Sequence, residues 1–290
     1  MIHVTIQSLA LAATVGALSG THTAIWGMYK DAIHEGFTLR RFARSVVIGS
    51  AVAVAIQIAL ALPLPGAAAF IVLFGLAYAA ERGIVEVWKT FVREEDQSKY
   101  TIPMQFSVHG VPVRSRGVRL LVGVGYVGVV ALCLFAVAQV ELGPPGELSA
   151  VRRALVGLTV GGIIAFGGAW KDAPKEGFDP VKFLRSPCLT VMFALLLARL
   201  TDSYLEVAVA SIGYERAAAE TYKTFFFPSK PRGKFAGKPV LFPDMLARRQ
   251  YFIPAYVAIW VLVVATGGAA LVRMNEPEVR LEPNHVGARP

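Results

Sequence analysis

The sequence predicts an all-α polytopic membrane protein of about eight transmembrane helices, built as two parallel four-helix repeats about a pseudo-twofold axis along the membrane normal. Three observations predict it. Hydrophobic residues make up 55% of the 290 and charged residues only 17%, with a mean hydropathy of +0.54, whereas a soluble domain is about 25% charged. Apolar segments long enough to cross roughly 30 Å of hydrocarbon at about 1.5 Å per residue recur along the whole chain. The same text is also written twice: Lys30-Asp31-Ala32-Ile33-His34-Glu35-Gly36-Phe37 returns 141 residues later as Lys171-Asp172-Ala173-Pro174-Lys175-Glu176-Gly177-Phe178. Extended to Ser45 and Ser186, the two copies agree at nine of sixteen positions.

Taken in order, the predicted spans are 3–27, 40–62, 66–88, 118–140, 149–170, 181–200, 204–224 and 251–273. The first carries Gly16-x-x-x-Gly20, matched in the fifth by Gly157-x-x-x-Gly161; small residues at this spacing let helices approach closely. Its internal twin also argues that the first span stays in the mature chain, and Met1-Ile2-His3 lacks the basic lead-in of a signal peptide. After it, Lys30-Asp31 is expected to end the helix, Gly36 to supply a cheap positive φ and Thr38 to cap the second span. In the second copy Asp179 caps and Pro180 opens the helix. Both KDAxxEGF stretches are thus predicted as tight inter-helix loops.

The third and seventh spans share Glu81-Arg82-x-x-x-Glu86-x-Trp88-Lys89-Thr90-Phe91 and Glu215-Arg216-x-x-x-Glu220-x-Tyr222-Lys223-Thr224-Phe225, now 134 residues apart. The seventh is too polar to assign from hydropathy and is assigned from this match. The seven lost residues are expected from the outer hairpin around Pro63-Leu64-Pro65-Gly66. Gly110-x-Pro112-Val113 with Gly237-x-Pro239-Val240, and Tyr126-Val127 with Tyr256-Val257, extend the duplication to the fourth and eighth spans. The repeats are placed at 1–141 and 142–273, with a polar tail at 274–290. Four crossings per repeat return the chain to its starting side, so the repeats are parallel.

Orientation follows from the basic residues. Segments 28–44, 89–119, 171–185 and 223–249 hold 21 of the 29 Lys and Arg, and loops facing the cytoplasm carry that excess. Both termini are therefore expected outside the cytoplasm, in an inner or plasma membrane if the source is bacterial. Trp26, Trp88 and Trp170 fall near the predicted inner ends, as interfacial aromatics do. The net charge of +9 is assigned to this asymmetry and to anionic headgroups, above all at 229–239, rather than to nucleic acid.

The chemistry-bearing residues gather at the same end. The first repeat brings Lys30, Asp31, Glu35, Arg44, Glu81, Arg82, Glu86 and Lys89, the second Lys171, Asp172, Glu176, Arg185, Glu215, Arg216, Glu220 and Lys223. Ionisable groups at membrane depth are costly unless paired or wet, which makes them candidates for substrate binding or gating. Four acids and four bases in each half also describe a self-neutralising clamp between helices. Arg82 and Glu86, at i and i+4, are spaced to pair. His22 has no polar twin, Ile163 standing in its place, and is a candidate relay weighed against a packing role.

Cys133 and Cys188 lie in apolar runs without CxxC spacing, so neither a disulfide framework nor a metal site is predicted. Gly123-Val124-Gly125-Tyr126-Val127-Gly128 spells a dinucleotide fingerprint but has no preceding strand and is rejected. No catalytic residue or cofactor is assigned. Three functions follow: a transporter or channel with its pathway between the repeats, a membrane enzyme acting on a phosphorylated lipid, and a structural subunit with partner membrane subunits.

Overall fold

The computed structural model describes residues 4–139, 147–226 and 233–273. It is 78% helical. In chain order the helices are α1 (Ile6–Glu35), α2 (Leu39–Leu60), α3 (Ala67–Val87) continued by a π-helical turn Trp88–Val92, α4 (Arg116–Ala138), α5 (Glu147–Glu176), α6 (Pro180–Leu197), α7 (Tyr204–Thr221) continued by a second π-helical turn Tyr222–Phe226, and α8 (Met245–Val272). A two-stranded hairpin, β1 (Ser107–Val108) and β2 (Val111–Pro112), interrupts the loop before α4.

Among the described residues six helices are long and apolar enough to cross a membrane: α2, α3 with its π turn, α4, α5, α6 and α8. α1 and α7 fill the predicted segments 3–27 and 204–224 but fall outside these six. α1 carries His22, Lys30, Asp31 and Glu35, and α7 carries Glu206, Glu215, Arg216 and Glu220. The predicted tail at 274–290 lies outside the described residues, as do 229–232 of the basic segment.

α3 and α7 form the centre. The apolar stretch of α3 is 72% buried and that of α4 only 6%, so α3 is walled by protein and α4 stands at the rim. Backbone-to-backbone approach sets the crossing: a Cβ on Gly213 would lie 2.0 Å from the Gly75 carbonyl oxygen, and one on Gly75 would meet Ala210 and Tyr214 at 2.8 Å. Gly213 also lies against the Ala79 backbone, so register advances the same way on both helices and they run parallel. The two GxxxG runs serve α2 and α6. Gly16 and Gly20 receive the backbone of Gly49 and Ser45, and Gly157 and Gly161 that of Thr190 and Pro187. Without water to drive apolar association, close contact between small residues is what holds such helices.

Two expectations are corrected. The KDAxxEGF stretches are not loops: α1 runs unbroken to Glu35 and α5 to Glu176, with Pro174 inside it. Nothing between Gly27 and Glu35 breaks the helix, and the stop comes only at Gly36 and Gly177, at φ of 71° and 81°. Asp179 does cap α6, accepting from the Val181 and Lys182 amides, whereas Thr38 makes no side-chain cap bond. The α2–α3 and α6–α7 hairpins, where the loss was expected, have equal length, 61–66 and 198–203. The shortening lies in the helices, 22 residues in α2 against 18 in α6 and 21 in α3 against 18 in α7.

Candidate functional site

The predicted charges converge at one end of the bundle, where α1, α3, α5 and α7 finish. Lys30 at the end of α1 donates to Glu220 on α7 at 2.9 Å, and Glu220 also meets Arg216 at 3.4 Å and Lys223 at 3.5 Å. On α3, Arg82 Nε donates to Glu81 at 2.8 Å and Lys89 to Glu86 at 3.4 Å. The expected Arg82–Glu86 pair does not form, because the guanidinium turns to its immediate neighbour. Lys171, in the last turns of α5, lies within electrostatic reach of Glu86 and 3.7 Å from Met104 Sδ. A lysine from the end of α1 thus serves α7, and one from the end of α5 lies near α3.

Glu81 and Glu215 differ from the rest in burial, at 0% and 1% exposure. Ser186 Oγ donates to one oxygen of Glu215 at 2.6 Å, and Arg82 occupies one oxygen of Glu81. The second oxygen of each has no hydrogen-bond partner. Two carboxylates from α3 and α7, each half satisfied and shut from solvent, are costly unless something else visits them.

His22 is fully buried with them. Its Nδ1 lies 3.1 Å from the Tyr78 hydroxyl, to which Trp26 Nε1 donates at 2.8 Å, while Nε2 has no partner. The ring stacks on Tyr256 at 4.1 Å and meets Trp260 edge-on at 5.2 Å. Tyr256 in turn shares a 2.5 Å hydrogen bond with Thr221, which accepts from Trp260 Nε1 at 3.1 Å. This polar thread links α1, α3, α7 and α8. Trp26 is buried inside it rather than at an interface; Trp88 and Trp170 are 40% and 60% exposed.

Reciprocal straps close the charged end. The stretch 233–242 lies on the end of α1: Lys234 pairs with Asp31 at 3.0 Å and Glu35 at 3.1 Å, the Leu241 and Phe242 amides donate to the Ile33 carbonyl, and His34 Nδ1 donates to the Pro239 carbonyl at 2.9 Å. Burial alone would lower the Lys234 pKa, but the two carboxylates outweigh it and raise it above the usual lysine value. In the other direction, Trp170 Nε1 on α5 donates to the Ser107 carbonyl of the β hairpin at 3.2 Å, and Gly110 lies against Pro174 and Lys175. The straps also meet: the Thr101 amide donates to the Lys234 carbonyl at 2.7 Å.

The second stretch is less covered. Asp172 and Glu176 are held by Lys182 at 2.8 and 2.7 Å; Phe178 meets Phe183 as Phe37 meets Phe42, but Phe37 also packs on Phe252 and is less exposed, 38% against 62%. Arg44 sits 5.7 Å from the Trp88 ring centroid, and Arg185 Nε is buried without an acceptor. Sequence reasoning missed Lys182, Lys234 and Ser186. Lys182 stands where Arg41 stands in the first copy, and Arg41 likewise bonds Glu35 at 2.7 Å, so the repeat alignment held a signal for it. Nothing local marked Lys234. Among the described residues no three His, Cys, Asp or Glu side chains gather as a metal-binding set.

Comparison with known proteins finds no matching family model, no matching curated protein and no matching solved structure.

Proposed function

We propose that the chain is a membrane transporter or channel built as two four-helix repeats, with its pathway along the α3–α7 seam and the two helix-end KDAxxEGF stretches acting as latches on the cytoplasmic side. The observation that carries this is the pair Glu81 and Glu215, fully buried, one on each central helix, each with an oxygen left unpartnered. Such groups select a cation or a proton as the species that would relieve them. The parallel crossing at Gly75 and Gly213, the lysines exchanged between α1–α7 and α5–α3, and the π turns ending both α3 and α7 support a pseudo-twofold pathway. The basic ends of these helices support an inward orientation with both termini on the outer face.

The lipid-enzyme reading loses support on the same geometry. Asp31, Glu35, Glu81, Glu86, Asp172, Glu176 and Glu220 are each engaged by a Lys or Arg, leaving little carboxylate capacity for a divalent cation. The structural-subunit reading rests on that closed network, which asks nothing of the charges but pairing.

Flux separates the two. Purified protein reconstituted in vesicles is expected to dissipate an imposed proton or alkali-cation gradient. Glu215→Gln, which keeps an acceptor for Ser186, is expected to lose flux while retaining its melting temperature. Absence of flux under every gradient, with Glu81 and Glu215 substitutions altering only stability, would sink the transport reading in favour of the subunit.

A further inference from the structure

One cluster at the charged end is not neutralised, and it lies at the rim rather than in the seam. Arg44, on the second turn of α2, and Arg93, the first residue after the π turn, lie over the ring of Trp88 at 5.7 and 5.4 Å from its centroid. The charges that reach Arg44 are three like ones, Arg82, Arg93 and Arg41, and one carboxylate, Glu81. That carboxylate is already bonded by Arg82, and Arg41 is taken by Glu35. Arg93 meets Glu95 at 2.6 Å, but Glu95 is shared with Lys99 and with the Tyr100 hydroxyl. The Nε of Arg44 and the Nε of Arg93 are both buried without an acceptor. Like charges converge here, Arg93 shares its carboxylate with Lys99 and Tyr100, and both arginines keep an Nε donor unspent, so the missing partner is an anion.

The surroundings say which kind. Trp88 is 40% exposed, and the faces leading away from it are apolar and open: Val47, one turn from Arg44 on α2, is 65% exposed, and Ile84, one turn from Trp88 on α3, is 48% exposed. Both helices are among the six able to cross a membrane. An aromatic at the headgroup level, two guanidinium forks beside it and an apolar stripe running inward match a phosphate with an acyl chain attached.

We infer that Arg44 and Arg93, gathered at Trp88, form a binding site for a phosphate anion, presented as the headgroup of an anionic phospholipid. The residues that make the site are not all repeated in the sequence. The second half offers Arg185 and Tyr222 at the matching positions, but Phe227 in place of Arg93. The inference stands on the rim cluster and does not depend on whether the seam conducts.

The test uses the full-length protein in lipid nanodiscs, with Trp88 as its own reporter. Phosphatidylglycerol brominated on its acyl chains is expected to quench the increment of fluorescence that Trp88→Phe removes, at roughly tenfold lower mole fraction than equally brominated phosphatidylcholine. The Arg44→Gln/Arg93→Gln protein is expected to lose that preference, and Arg44→Lys/Arg93→Lys, which keeps both charges, to retain part of it. Inorganic phosphate added to phosphatidylcholine nanodiscs distinguishes the source. Protection of the melting temperature by phosphate alone assigns the site to free phosphate and overturns the lipid assignment, and its absence beside the phosphatidylglycerol effect supports the headgroup. Equal quenching of wild-type Trp88 by both lipids overturns the site without need of any arginine variant. So does a preference that survives in folded Arg44→Gln/Arg93→Gln protein.

Discussion

Glu81 and Glu215 occupy the same place in the two copies and are satisfied differently, which makes them separable by mutation. Glu81→Gln leaves Arg82, itself buried, without its carboxylate, so a loss of about 3 kcal/mol is expected in thermal or denaturant unfolding. Glu215→Gln keeps its bond from Ser186 and is expected to cost about 1 kcal/mol or less. Equal losses would show that burial outweighs pairing at both sites. The identities of these residues were legible in the repeat; their partners were not. Ser186 belongs to the same matched stretch as Ser45, yet only the packing of α6 on α7 makes it a donor to Glu215. His22 was visible as an asymmetry, while its neighbours come from two other helices, Tyr78 from α3 and Tyr256 and Trp260 from α8.

Among the helices, the α3–α7 crossing is the one whose spacing tolerates least. Gly213→Ala would set its Cβ 2.0 Å from the Gly75 carbonyl oxygen, a backbone obstacle that no rotamer can avoid. A loss of about 3 kcal/mol or more is expected, whereas Gly168→Ala, where an added Cβ meets nothing within 4 Å, is expected to be neutral or slightly stabilising. Melting temperatures of the two variants check this. The helix ends teach a related point. The polar Lys-Asp and the matched sequence suggested a loop, but a helix stops where a residue makes stopping cheap, and Gly36 and Gly177 are the first that do so.

For the whole molecule, the straps tie the second half to the first helix and the first half to the fifth. Chains 1–141 and 142–290 expressed together are therefore expected to co-purify as a one-to-one complex, and each alone to aggregate or be degraded. Separate, monodisperse halves would contradict the reciprocal arrangement. The Lys234 tie adds a pH dependence. Its raised pKa means that its contribution is fully present below the ordinary lysine value of about 10.4 and is lost as pH rises through the folded-state value. Hydrogen exchange in 233–242 should accelerate only in that alkaline window, and Lys234→Gln should show the faster exchange already at neutral pH.

The sequence by itself determined the membrane class, the helical segments and the end at which charge collects. These depend on apolar length, on local stop signals and on a repeated text, all of which are written along the chain. Tertiary structure decided which carboxylate each base meets, that α3 and α7 rather than any other pair form the centre, and that each strap lies on the far half. Those contacts join residues as far apart as Ile33 and Phe242, 209 positions, and pairing at such a distance is set by packing in three dimensions, which no local pattern encodes. The KDAxxEGF stretch shows both sides: its recurrence was plain in the text, but its role as a helix end clasped by Lys234 exists only in the fold.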